Sequence, residues 1–491
     1  MGRLMGGDPA GAETVIRVCL LLEGSYPFIT GGVSAWVHQL ITSLPDIEFA
    51  LFTLSPEADQ EVRYELPANV REHRDVVISE KVKSRRRLRK AEELLREVER
   101  IHGSFMGGTA PDLETLAERL PAGYALYADA AASEIGWEMI TRQNQKKNPV
   151  YPFSDYFWAW KGSHDMMFTV LASQPPAADL YHAVSTGYAG LAAVWARLRT
   201  GRPFVLTEHG LYHKEREMEI RKTTLIRGYQ RDMWIGIYNN LSRLAYRYAD
   251  LIVSLFEYNR LRQVELGAPE ERTRVIPNGI DTERYSGVER QSRAGFHVGL
   301  VGRVVPIKDI KTFISACRIT ADLFPDARFY CIGPTDEDPA YYEDCRHMVD
   351  NLRLADRFEF TGRRDVREYY AFLDVLLLTS VREAQPLVIL EAYCAGVPVV
   401  ATRVGNVPEL LDYDDRFIAA SKDPEGLAEA VRFIHENPEE MKGIIQRNRE
   451  KVLTFYNRRE LLETYRDIYR DMCRDRDTAA PGAALSGRKE G

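Results

Sequence analysis

Residues 15–44 read VIRVCLLLEGSYPFITGGVSAWVHQLITSL, and this stretch sets the frame for everything that follows. Val15–Glu23 is nearly all apolar, the composition of a parallel strand buried on both faces. Turn formers then run from Gly24 to Gly32. After them Val33, Trp36, Val37, Leu40 and Leu44 fall on one face at helical spacing. Phe49–Leu54 reads as a second strand. Strand, glycine-rich loop, helix and strand in this order open a doubly wound α/β domain.

Outward from that frame, the rhythm breaks between about residues 57 and 160. A strand pair is expected within Leu66–Ile78, a charged helix at Ser79–His102 and another at Pro111–Leu120, which together read as a largely helical insertion. Alternation resumes with a strand at Asp179–Val184, a helix at Gly187–Arg199, a strand at Phe204–Thr207, one long helix around Arg221–Ala249 and a strand at Leu251–Leu255. The turn-forming cluster Val275–Asp281 and the polar stretch after it mark a boundary. The expected first domain is 15–285. The second, 286–458, opens on a strand at Phe296–Gly302 and repeats the α/β alternation, with a helix expected at Pro386–Cys394. An amphipathic helix follows at 459–474. Residues 1–14 and the small, polar 475–491 are expected to be flexible.

The 491 residues are 45% hydrophobic and 28% charged, enough for two ordinary cores. A net charge of −7 argues against a general nucleic-acid binder. No run reaches the ~18–20 apolar residues that span a bilayer. The opening Met-Gly departs from the myristoylation pattern at Gly6. A cytoplasmic protein with peripheral membrane contact at most is expected. The six cysteines form no C-x-x-C pair and read as small buried hydrophobes.

The most specific chemical signal is Glu383 to Glu391, EAQPLVILE, two carboxylates separated by seven residues. It lies between a strand and a helix, at the carboxyl edge where open α/β sheets bind ligands. The helix start offers amides and a positive dipole end to a diphosphate. Glu383 is placed for sugar hydroxyls and Glu391, about two turns on, for the ribose pair. Arg303 and Lys308 follow the first strand of the second domain, spaced to converge on phosphate oxygens. There they would stabilise a departing diphosphate. Gly31 and Gly32 permit close backbone approach to a phosphate. Thr207, Glu208 and His209 end a strand, and His209 is a candidate contact to a donor sugar. Each of these signals alone also fits an ordinary turn or a solvated surface. Their common position on ligand edges favours the functional reading.

Three features are weaker. His209 and His213 are four apart, but Gly210 argues against a helix joining them, so a metal pair is not expected. Asp336, Glu337 and Asp338 imitate a metal-binding D-x-D and read as a solvated loop. Lys81–Lys90 carries seven basic residues without an acid, suited to anionic lipid or an acidic partner if not simply solvated.

Together these segments resemble glycosyltransferase family 4, of the GT-B fold. A branch of it serving bacterial exopolysaccharide synthesis is also matched, through residues 22–36, LEGSYPFITGGVSAW, and 207–213, TEHGLYH. The resemblance implies two Rossmann-like doubly wound domains facing across a cleft, with the last helix crossing back to the first. It implies a UDP-sugar donor, retention of configuration, a saccharide acceptor, no cofactor and no obligatory metal. Inner-membrane polysaccharide synthase components become the expected partners. Carried over, Arg303 and Lys308 bind the diphosphate, Glu383 the sugar, Glu391 the ribose, and His209 the sugar from the opposite side, with Gly32 close to the donor. The family's Gly-Phe-Gly-Leu-Pro is replaced here by Ala384, Gln385, Pro386, Leu387 and Val388. Pro386 has no N–H, so the donors would be the amides of Leu387 and Val388, with Gln385 touching sugar or acceptor. A sugar phosphorylase, an epimerase and a catalytically weak assembly subunit are the competing readings. The first two lack their expected residues here, and the intact motif set argues against the third.

Overall fold

The computed structural model describes residues 15–80, 91–126, 130, 133–147, 152–223 and 228–478. The basic run Lys81–Lys90, residues 1–14 and the tail beyond 478 lie outside them. The chain divides into two compact units, one up to Val275 together with the residues from Leu462 on, the other Ile276–Leu461.

In the first unit seven parallel strands form one sheet in the order β3-β2-β1-β4-β5-β6-β7. They are β1 (Arg17–Glu23), β2 (Glu48–Ser55), β3 (Val70–Val77), β4 (Leu180–Ala183), β5 (Phe204–Glu208), β6 (Leu251–Ser254) and β7 (Thr273–Val275). Val18 to Leu22 are wholly buried, which is why this apolar run sits at the centre. The helix Gly32–Ser43 buries Trp36, Val37, Leu40 and Ile41. Strand order reverses between β1 and β4, so the crevice beyond their carboxyl ends is this sheet's switch point.

Four expectations are corrected here. The strand pair within Leu66–Ile78 is the single edge strand β3, whose charged side chains Arg71 and Glu72 pair with Glu48 and Arg17. The insertion therefore begins after β3, and it extends to Ala172. Its helices are Ala91–Gly107, Glu114–Arg119, Glu134–Lys147 and Phe153–Ala172. The last of these buries nearly all of Met167–Ala172, so its sequence shows no one-sided stripe. The single long helix around Arg221–Ala249 is two helices, Tyr212–Lys222 and Tyr229–Tyr248, with Gly228 at φ +54 ahead of the second. A helix at Glu257–Glu265 was not expected, because it buries only Asn259 and Gln263 and carries no apolar face.

The second unit has six parallel strands in the order β10-β9-β8-β11-β12-β13. They are β8 (His297–Val301), β9 (Arg328–Ile332), β10 (Phe358–Gly362), β11 (Val375–Leu378), β12 (Val399–Thr402) and β13 (Ile418–Ala419). Its switch point lies between β8 and β11. The unit starts at Ile276, not at residue 286, because hydrogen bonds draw the turn cluster into it. Ile280 N–H donates to Tyr456 O and Arg458 N–H to Ile280 O, each over 2.9 Å.

The final helix, Arg458–Thr478, runs past the expected end at 474. From Leu462 it belongs to the first unit, fastened by a buried polar chain. His182 on β4 bonds Tyr469 OH through Nδ1 at 2.7 Å and Thr207 Oγ1 through Nε2 at 2.8 Å. Tyr465 OH meets the same Thr207 at 3.2 Å. Replacing Tyr469 by Phe leaves a buried ring nitrogen without its partner, a loss of about 1–3 kcal/mol. Thermal unfolding of Y469F should therefore show a lower Tm than the parent, and equal values would contradict the argument.

Candidate functional site

At the switch point of the second sheet, the loops after β8 and β11 are stitched together by their backbones. Val381 N–H donates to Ile307 O over 2.9 Å, and Thr379 Oγ1 donates to Lys308 O over 2.8 Å. This stitching delivers two side chains to one point. Lys308 Nζ lies 2.5 Å from Glu383 Oε1, and Ser380 Oγ donates to the same oxygen over 2.7 Å. The lysine stem crosses Gly302, with its methylenes 3.6 Å from where a Cβ would stand. Both charged side chains are more than four-fifths buried, at 18% and 15% exposure. An ion pair at such depth is offset by its own desolvation, so it contributes little to stability. What it supplies is a cation and a carboxylate held side by side on the ligand edge.

Gly405 makes this arrangement possible from the β12 loop. At φ +52, a Cβ there would stand 2.2 Å from Glu383 O and 2.5 Å from Ala384 O. Asn406 N–H donates to Ala384 O over 3.0 Å. The Asn406 side chain is buried and its Oδ1 has no hydrogen-bond partner.

The helix after this loop begins at Leu387 with Pro386 as its N-cap, one residue later than expected. Leu387 and Val388 occupy its first turn, where amides have no carbonyl one turn back. Glu391 is half-buried on the same helix. Tyr370 OH lies 3.4 Å from its Oε2 and 3.5 Å from Val388 O, and shares its one proton between them. Burial raises the Glu391 carboxyl above its ordinary range, against the pull of the Tyr285 and Tyr370 phenols and of the Arg284 charge.

Two expected ligand contacts are engaged elsewhere. Arg303 does not converge with Lys308; its guanidinium forks onto both oxygens of Glu337 at 2.5 and 2.7 Å. Both partners are about half-exposed, so this pair is worth roughly 0–1 kcal/mol. Gln385 is buried, and its amide clamps one residue's backbone. It accepts from Asn278 N–H over 2.8 Å and donates to Asn278 O over 3.0 Å. Its amide serves the start of the unit rather than an open site.

The D-x-D look-alike has other work. Asp338 caps the helix Pro339–Asn351 by accepting from Tyr341 N–H, Glu337 holds Arg303, and Asp336 pairs with Arg363 at 3.8 Å. Among the described residues no group of three or more His, Cys, Asp or Glu is placed to hold a metal ion.

In the first unit, Gly31 and Gly32 open the helix Gly32–Ser43, and a Cβ at either would meet nothing within 4 Å. His209 follows β5 and is 8% exposed, with its ring edge-on to Trp36 of that helix at 4.6 Å. Its Nε2 has no hydrogen-bond partner. The neighbouring Glu208 is saturated instead, accepting from Tyr212 N–H, Thr186, Tyr246 and Gln263. Desolvation pushes His209 down to about 4, so it is a neutral imidazole at neutral pH.

No local motif points to Tyr370, Ser380, Asn278 or Asn406. Only placement beside the motifs identifies them.

Two units built on parallel, doubly wound sheets are the fold of GT-B glycosyltransferases. HepE of Anabaena, solved with UDP and glucose, is similar over 93% of this chain and 100% of its own, with a TM-score of 0.55 at 15% identity. Sucrose-phosphate synthase of Thermosynechococcus elongatus is similar over 94% of this chain and 100% of its own, with a TM-score of 0.58 at 16% identity. The chain belongs to the family described as "Domain of unknown function (DUF3492)", which it matches over residues 16–271, more than half its length. Residues 295–437 match the family described as "Glycosyl transferases group 1". Among curated relatives, the N-acetyl-alpha-D-glucosaminyl L-malate synthase of Bacillus anthracis is 26% identical over 48% of this chain and 64% of its own. An Escherichia coli enzyme named UDP-Gal:alpha-D-GlcNAc-diphosphoundecaprenol alpha-1,3-galactosyltransferase is 27% identical over 42% of this chain and 56% of its own. The chain thus spans less than two thirds of the length of each.

Buried histidines give the fold a pH signature. Desolvation lowers His182 to about 3, and His164, His209 and His213 to about 4, against about 6.5 in an unfolded chain. Between those values the unfolded chain binds protons that the folded one refuses. The stabilisation is complete above about pH 6.5 and is lost as pH falls towards 4. Ordinary carboxylates hardly titrate from pH 7.5 to 5.5, so a Tm that falls across that interval is the expected result. A flat profile would contradict it.

Proposed function

We propose that this protein is a retaining UDP-sugar-dependent glycosyltransferase that extends a saccharide acceptor. One observation carries the reading: the Lys308–Glu383 pair at the switch point of the second sheet, with Glu391 and the first-turn amides of Leu387 and Val388 on the next helix. A cation for phosphate and carboxylates for hydroxyls, on one ligand edge, suit a sugar nucleotide. The match of the second unit to "Glycosyl transferases group 1" supports the same class.

In this reading the incoming diphosphate takes Lys308 and frees Glu383 to accept from sugar hydroxyls. Arg303 exchanges its half-exposed pair with Glu337 for phosphate oxygens at small cost. As the bond from the anomeric carbon to the diphosphate oxygen breaks, both cations stabilise the growing charge. The acceptor hydroxyl attacks from the same face and its proton passes to the departing phosphate, which preserves configuration. His209, neutral and with Nε2 unsatisfied, has the hydrogen-bonding capacity for a sugar hydroxyl. Arg303 and Lys308 supply the charge that a metal would otherwise provide.

Within this class the sequence resembles PelF, the cytosolic glycosyltransferase of the bacterial Pel exopolysaccharide system. On that resemblance we place the protein in biofilm polysaccharide synthesis, at the cytoplasmic side of the inner membrane and beside membrane synthase components. The basic run Lys81–Lys90 supports contact with an anionic surface. No described helix is long and apolar enough to cross a membrane.

A thermal-shift panel of UDP-, GDP- and ADP-sugars tests the donor, since a ligand of the folded state raises Tm. Stabilisation by UDP-sugars alone is expected, and no shift with any of them would remove the reading. Glu391→Ala and Arg303→Ala should each weaken UDP at least about tenfold by calorimetry, the scale of a lost charged hydrogen bond. Unchanged affinity in both would take them out of the site. Turnover should survive EDTA, whereas its loss on chelation and return with a divalent cation would contradict metal independence.

A further inference from the structure

The first unit holds a cavity of about 240 Å³ near the amino end of β4, away from the crevice at that sheet's carboxyl edge. Its walls come from two parts of the chain. Tyr181 of β4 forms one side with Trp195 and Arg199, which lie on the helix Tyr188–Thr200. The insertion forms the other side through Gly123, Leu171 and Gln174. A dry cavity of about 150 Å³ accommodates benzene, so this one has room for a ring with a short polar arm.

The polar groups of the wall are unequally matched. The hydroxyls of Tyr181, Ser173 and Thr200 already donate to the carbonyls of Pro176, Thr169 and Ala196. Arg199 uses only Nη1 within the protein, donating to Ala117 O over 2.9 Å and to Leu120 O over 2.7 Å. Those two bonds fix one edge of the guanidinium. Among the described residues its Nε and Nη2 meet no acceptor. The guanidinium carbon also lies 5.7 Å from the centre of the Trp195 ring. Trp195 is only 4% exposed, and its indole N–H likewise meets no acceptor among the described residues. An indole nitrogen can only donate, and a buried donor without a partner costs free energy. No described Asp or Glu lines the cavity, so its one formal charge is positive.

A fixed guanidinium with an open edge suits a carboxylate, which accepts two parallel hydrogen bonds from such a fork. An aromatic and aliphatic wall suits an apolar body, the usual make-up of a small-molecule site. We propose that this cavity is a binding site for a small aromatic carboxylate, with the acid on Arg199 and the ring against Trp195 and Leu171. None of these residues belongs to the donor edge, so the site stands apart from the function proposed above.

Ligand-detected NMR titration of the full chain with benzoate, phenylacetate and 3-phenylpropionate tests the site, with the neutral amide of each as comparison. At least one acid should bind about tenfold or more tightly than its amide, the scale of one hydrogen bond to a charged group. Arg199→Met should lose most of that preference. Ala177→Phe, which fills the cavity from an exposed position on its wall, should abolish binding of acid and amide alike. Saturating UDP should leave the acid bound. No binding of any of the three acids overturns the proposal, as does equal affinity for acid and amide. Displacement by UDP puts the acid at the donor edge and overturns it too. Arg199 also holds the end of a neighbouring helix, so if Arg199→Met fails to fold, Ala177→Phe decides: lost binding upholds the site and retained binding overturns it.

Discussion

The stitched loops between β8 and β11 are the constraint on which the second unit's ligand edge depends. Connections that leave neighbouring parallel strands towards opposite faces of the sheet open a crevice, and an open crevice does not by itself fix any side chain. Here the backbone bonds from Val381 to Ile307 and from Thr379 to Lys308 close the two loops against each other. Lys308 and Glu383 meet because of that closure, and Gly405 keeps the Glu383 carbonyl within reach of the next loop. The pair adds little to folding free energy, and its geometry comes from neighbours that are themselves satisfied.

Satisfied and unsatisfied polar groups divide sharply across the protein. Glu208 is buried yet receives four hydrogen bonds, and Gln385 spends its amide on a backbone. These are structural uses of residues that stand inside or beside a motif. His209 and Asn406 are also buried but each keeps a polar atom without a partner. A buried polar atom left alone costs free energy, so it marks a place where another molecule can supply the bond.

Much of this was legible in the sequence because it depends on local pattern. The apolar run of β1, the one-faced helix after Gly32 and the strand-loop-helix setting of Lys308, Glu383 and Glu391 all follow from spacing and composition. What stayed hidden depends on partners remote in the chain. Nothing near Arg303 announces Glu337, nothing near Gln385 announces Asn278, and nothing near Glu391 announces Tyr285 or Tyr370. The helix Phe153–Ala172 was missed for another reason: its second half is buried on all sides, so it carries no 3.6-residue signature. Glu257–Glu265 fails oppositely, being polar all round. The boundary at Ile276 was misplaced because a turn-rich segment looks like a linker until its hydrogen bonds are known.

The buried chain from Thr207 through His182 to Tyr469 joins the middle of the first unit to residues that follow the whole second unit in the sequence. During translation every strand of the first sheet leaves the ribosome well before Tyr465 and Tyr469 do. The second unit is complete by then, whereas the first still has His182 waiting for a partner. Nascent domains generally fold in the order of their synthesis, and here the last helix inverts that order. The first unit starts to emerge before the second and is finished after it.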